Sequence, residues 1–241
     1  MLTQNNYYQA TQAGFESKTL ARTFMSNVFA WMGIALALTA FTAYYFASSE
    51  ELIRMLVKPE GGMTLLGWIV MLAPIGFVLA MSLGFQKFSV GTLTILFGVY
   101  AVLMGASLSF ILLIYTSASI FQTFAVTAGM FGIMAVVGYT TKTDLTKFGS
   151  ILMMGVIGIV IASLVNMFMK SQTFDYIISF IGVLIFTGLT AYDVQALKRI
   201  GTGAEYGAES TRKLVILGAL RLYLDFINLF LFLLRFMGDR K

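Results

Sequence analysis

The sequence predicts an all-α polytopic membrane protein with seven transmembrane helices and the C-terminal helix at the centre. Three observations carry this expectation. Of the 241 residues, 59% are hydrophobic and only 11% charged, against about 25% charged in ordinary soluble domains, and the mean hydropathy is +0.86. The hydrophobic residues gather in seven runs, each long enough to cross a ~30 Å hydrocarbon core at ~1.5 Å per residue. The last run, 214–236, carries Arg221, Asp225, Asn228 and Arg235, and at about 100° per residue these four fall within an arc of about 80°. An ionised group facing lipid costs at least ~2.5 kcal/mol. The polar stripe is therefore expected to face protein or water, and its helix to be wrapped by others.

Taken in order, residues 1–25 form a polar N-terminal segment ending near Lys18 and Arg22. They lack the basic-then-apolar layout and the small-residue cleavage site of a signal peptide. Residues 26–238 read as a single membrane domain. The first span is placed at about 26–47. The charged connector SSEELIRMLVKPEGG (48–62) can form a short amphipathic helix over 50–57, stopped by Pro59 and Gly61–Gly62. Span two, about 64–84, contains Pro74 and with it an expected kink that neighbouring helices can tolerate. Span three covers about 90–115. The uncharged link TSAS (116–119) is short, so spans three and four (120–139) are expected to pack as an antiparallel hairpin. TTKTDLTKF (140–148) is a polar loop, span five is about 149–169, span six about 174–197, and span seven the opening helix. Gly91, Gly98, Gly105, Gly129, Gly132, Gly155 and Gly158 lie within spans, where small residues let backbones approach.

Lys18, Arg22, Lys87, Lys142, Lys147, Lys198, Arg199, Arg212 and Lys213 flank one side of the spans. The other side has only Arg54, Lys58, Lys170, Arg240 and Lys241. This bias places the N-terminus in the cytoplasm and the C-terminus outside.

Composition also excludes functions. Without cysteine there is no disulfide or thiolate metal site. Without histidine the commonest transition-metal ligand and the usual near-neutral proton switch are missing, and so is the base of a serine–histidine hydrolase. No cofactor is expected. The net charge of +5 is a topology signal and not a nucleic-acid interface, since no basic cluster with interleaved aromatics is present. The glycine-rich loop GTGAEYGAES (201–210) is not a phosphate loop, because no strand precedes it and its spacing fits no nucleotide fingerprint. Glu205 and Glu209 in it could meet an entering cation.

Three ionisable residues sit well inside spans: Asp193, Arg221 and Asp225. Asp193 lies near the basic end of its helix, where a carboxylate can also simply reach water. Asp225 lies near the centre of its span, and its plain structural role would be an i, i−4 ion pair with Arg221. Nominal depths set Asp193 about 11 Å from the midplane and Asp225 near it. A sixth span continuing to Ile200, or a tilt, would bring them together.

The phrases GYTTKTDLTKFG (138–149), TGLTAYDVQ (187–195) and LYLDFINLFLFLLR (222–235) resemble the Bax inhibitor-1 family in its bacterial branch, from about Ser26 to the end. The resemblance implies six helices around a central seventh, and a pH-sensitive passive calcium leak with calcium ions as the permeant species. It also implies that the family's paired aspartates correspond to Asp193 and Asp225, which would gate the path and touch calcium transiently. Arg221 and Asn228 would support them. The family's gating arginine near the second span has no clear match, since Gln86 and Lys87 occupy that region. Some bacterial members are linked to a membrane-bound ATP-dependent protease, so a non-conducting regulator of such a protease is the alternative. An intramembrane aspartyl protease is a more remote one. It would need a glycine-x-glycine-aspartate phrase where Leu222-Tyr223-Leu224-Asp225 stands, and a later proline that the chain lacks. The expected surroundings are the lipid bilayer of a bacterial inner membrane, with no enzymatic activity.

Overall fold

The computed structural model describes residues 2–58, 60–203 and 208–241, with side chains from Lys18 onward except at Ala208. The expected stop at Pro59 and the loop acid Glu205 lie outside these residues. Eight helices follow one another: α1 (Leu2–Ser48), α2 (Glu50–Leu56), α3 (Leu65–Leu83), α4 (Val90–Ile114), α5 (Ser117–Thr140), α6 (Thr146–Met169), α7 (Gln172–Thr202) and α8 (Ala208–Met237). Seven of them are long and apolar enough to span a bilayer, α1 from Lys18 onward, and α2 is the short connector helix. The chain is an all-α polytopic membrane protein.

Hydroxyl side chains set several helix starts. Ser49, Thr64, Ser89, Thr116 and Ser171 each accept a hydrogen bond from a backbone N–H in the first turn. Those N–H groups have no partner within the helix, and capping each is worth ~1 kcal/mol. Helix α3 runs through Pro74 without a break in its assignment, with the ring buried.

The most enclosed helix is α8. Two-thirds of its apolar window (67%) is buried, against 6% for α6, so α8 is the hub and α6 lies at the rim. Four spans pack along α8: α1, α4, α5 and α7. Phe226 fixes the α5 side, with the rings of Phe124 and Phe131 each 5.5 Å from it in edge-on geometry. On the α1–α4 side, the fully buried rings of Tyr100 and Tyr223 lie 5.4 Å apart.

Two expectations are corrected here. Helices α4 and α5 do not form a packed hairpin: α4 lies on α1 and α3, whereas α5 lies on α7 and α8. The link between them is tied instead to the C-terminal tail. The N–H groups of Thr116 and Lys241 donate to the carbonyls of Asp239 and Ile114 at 3.1 and 2.8 Å, and the Asp239 N–H donates to Ser119 Oγ at 2.9 Å. A short link therefore bends the chain without closing a pair, because a third element occupies the space.

The glycines divide as well. A Cβ at Gly105 would meet the Thr39 carbonyl oxygen at 2.6 Å, and one at Gly155 the Ile185 side chain, also at 2.6 Å. Gly98, Gly129, Gly132 and Gly158 face open space, and Gly91 is barely approached. Close backbone approaches are at Gly138, against the Ala191 carbonyl where α5 crosses α7, and at Gly67, against the Leu56 carbonyl.

Candidate functional site

Asp193 and Asp225 come together where α7 and α8 pack. They are 3% and 5% exposed, the only buried acids among the described residues. Their carboxyl groups are within hydrogen-bonding reach of each other. The depth difficulty is resolved by length, since α7 continues to Thr202 and carries Asp193 nine residues from its end.

Arg221 completes the cluster, though not through the intrahelical pair with Asp225. Its Nε donates to Asp193 Oδ2 across the helix interface at 2.6 Å. The reason lies in helix geometry. Side chains lean toward the N-terminus of their own helix, so an arginine points away from an aspartate four residues later. Antiparallel α7 presents Asp193 on the turn that Arg221 leans toward. The guanidinium also lies over the Tyr192 ring, 5.6 Å from its centroid. Gly149 on α6 makes room for that ring, which a Cβ there would meet at 2.8 Å.

Among the described residues Arg221 bonds Asp193 and not Asp225, so the hydrogen bonding of the pair is incomplete. Asp193 Oδ1 and Asp225 Oδ2 are buried without a partner among the described residues. Two carboxylate oxygens can only accept, so they cannot satisfy each other while both groups are ionised. A single proton held between them supplies the missing donor. The cluster therefore has two electrostatically distinct states, one joined and one repelling.

The other residues of the stripe sit apart. Asn228 is half-buried, and its Nδ2 donates to its own helix at Leu224 O, 2.8 Å away. Arg235 reaches Asp175 at 3.3 Å, near the opposite end of α7.

Beside the aspartates is a clamp that the sequence did not reveal. Gln195, two residues beyond Asp193, accepts from the Leu145 N–H at 2.8 Å and donates to the Thr143 carbonyl at 2.8 Å. Arg199 bonds Asp144 at 2.7 Å and Lys198 bonds the Tyr139 carbonyl at 2.7 Å. Together they pin the α5–α6 link onto the end of α7. Asp144 is held well below the usual carboxylate range, first by the Thr146 hydroxyl and backbone N–H, then by Arg199. A glutamine reads as an unremarkable polar residue in one dimension. Its role shows only in three dimensions: Gln195 is buried along with Asp193, Val194 and Leu197, and its amide meets the α5–α6 link because α5 and α7 cross.

Comparison with known proteins agrees with this architecture. The pattern of the family described as "Inhibitor of apoptosis-promoting Bax1" matches residues 21–241. "Inner membrane protein YbhL" of Escherichia coli K12 is 49% identical over 221 residues, covering 91% of this chain and 93% of its own. A protein of Borreliella burgdorferi is 47% identical, covering 90% and 92%, and RP147 of Rickettsia prowazekii is 44% identical, covering 91% of each chain. The chain belongs to the Bax inhibitor-1 family of membrane proteins.

Proposed function

We propose that this protein is a pH-sensitive passive calcium leak, with Asp193 and Asp225 as its proton-operated gate. One observation carries the reading: two buried carboxyl groups in reach of each other, each with an unsatisfied oxygen, and one of them, Asp193, bonded to Arg221. Sharing a proton holds α7 against α8. Ionising both groups pushes them apart and exposes oxygen ligands to a hard cation. Calcium takes six to eight oxygens when it is held, and two carboxyl groups supply at most four. So sparse a set favours transient contact and passage over retention. In a chain without histidine, carboxyl groups are the natural source of proton sensitivity. The name of the E. coli relative supports placement in a bacterial inner membrane, and the distribution of Lys and Arg supports a cytoplasmic N-terminus.

The test is calcium entry into liposomes containing only the purified protein, from about pH 5 to pH 8, a range that catches perturbed carboxylates. Asp193→Asn and Asp225→Asn each abolish the doubly ionised state, so each flattens the pH dependence. The double variant adds little, because partners in one unit are non-additive. Unchanged pH dependence in both single variants, with the protein folded, refutes the gate. Absence of flux from wild type refutes the leak and leaves the non-conducting regulator of a membrane-bound ATP-dependent protease.

A further inference from the structure

We propose that the cleft between α3 and α6 is a binding site for a single-chain anionic amphiphile, its carboxylate seated on Arg221 and its chain along the apolar walls. Helix α3 packs on α4, and α6 on α7. Between them they leave a cavity of about 490 Å³, within the ~300–1,000 Å³ typical of ligand pockets. Its walls include Val78 from α3, Phe85 from the turn that follows α3, Met153 from α6, and Leu217 and Leu224 from α8. Arg221 also lines it, with 42% of its side chain exposed.

The hydrogen-bond inventory says what is missing. A guanidinium has five N–H donors. Here the Nε–H is committed to Asp193, and the terminal nitrogens make no hydrogen bond among the described residues. Arg221 lies seven residues into the apolar run that begins at Leu214, or about 10 Å along the helix. At that depth a cleft facing lipid offers few acceptors, and each unsatisfied donor costs several kcal/mol in hydrocarbon. The occupant must bring oxygen acceptors at one end and be apolar elsewhere. A carboxylate matches the planar fork of arginine in bidentate fashion. A two-chain phospholipid keeps its headgroup at the interface, well above this arginine, so a single chain with a small head fits better.

The binding claim stands apart from the calcium reading and is tested without measuring flux. The protein is placed in nanodiscs of neutral phosphatidylcholine with a diazirine-bearing palmitate, irradiated, and the labelled peptides are mapped. Label is expected on the α3 and α6 segments around Ser82 and Met153. Palmitate should displace it and hexadecanol should not. Arg221→Gln should weaken displacement about tenfold, the scale of one charge-assisted hydrogen bond. Ser82→Trp, which fills the cleft from the α3 side while keeping Arg221, should abolish the label. Label spread evenly over all lipid-facing helices overturns the proposal, as does equal competition by hexadecanol. Labelling of the cleft by a phosphatidylglycerol probe that palmitate fails to displace also overturns it.

Discussion

Removing the charge of Arg221 tests the cross-helix pair directly. Asp193 is 4% exposed at its side chain and its bond to Nε is 2.6 Å long, but the arginine is 42% exposed. Deleting one partner of a fully buried pair costs ~3–5 kcal/mol. The partial exposure of the arginine to the cleft discounts part of this, so Arg221→Met is expected to cost ~2–3 kcal/mol. For a chain of this length each kcal/mol moves the midpoint by ~2–4 °C, giving a Tm lower by about 4–12 °C. The assay is unfolding in mixed micelles followed by helical circular dichroism, run as a double-mutant cycle. Arg221→Met and Asp193→Asn should couple by ~1.5–3 kcal/mol, the range for a hydrogen bond between charged groups. If they add to within ~0.5 kcal/mol, while Arg221→Met couples strongly to Asp225→Asn, the salt bridge is intrahelical and the reasoning fails.

Three further outcomes follow from the packing. Gly138→Ala drives a methyl into the Ala191 backbone and should cost ~1–3 kcal/mol; Gly158→Ala, facing open space, should be neutral or gain up to ~1 kcal/mol, and equal midpoints for the two would refute the α5–α7 crossing. Tyr223→Phe and Tyr100→Phe should differ: the single Thr39 proton goes to the Ala101 carbonyl, so Tyr223 donates to Thr39 Oγ1 at 2.7 Å and its loss costs ~0.5–1.5 kcal/mol, whereas the Tyr100 hydroxyl has no partner among the described residues and its removal should leave the unfolding midpoint unchanged or higher. Asp144 has its pKa depressed in the folded protein, so it contributes stability that is present above the ordinary carboxylate value of ~3.9 and lost as pH falls toward its folded value; stability measured below about pH 4 should therefore fall more in wild type than in Asp144→Asn, and parallel curves would remove the clamp.

Much of this was legible in one dimension because membranes impose simple rules. Length and hydropathy mark seven spans, and the cost of charge in lipid singles out Asp193, Arg221 and Asp225. What could not be read is which faces meet. The glycine at 138 closes a crossing, while those at 129 and 132 look identical in sequence and face open space. The partner of Arg221 needed the lean of its side chain and the overlap of α7 with α8, and neither is a property of a single span. The short link at 116–119 suggested a hairpin, but link length limits distance, not the identity of the neighbour. Only the tail bonded to that link explains why α4 and α5 separate.

The position of the arginine bears on how such a gate would move. An arginine on a peripheral helix could release the aspartates when that helix swings away. Here the charge sits on α8, on the same helix as Asp225 and one turn from it. The distance between Arg221 and Asp225 is then nearly fixed by the helix itself, so motion of α3 alone cannot separate the arginine from the site. What can change is the placement of α7, which brings Asp193, against α8. That joint is bounded at one end by the Gln195–Arg199 clamp on the α5–α6 link and near the other by Arg235 and Asp175. In the function proposed above, a single proton at the aspartate pair therefore works on the α7–α8 interface, and the two flanking contacts set how far it can open.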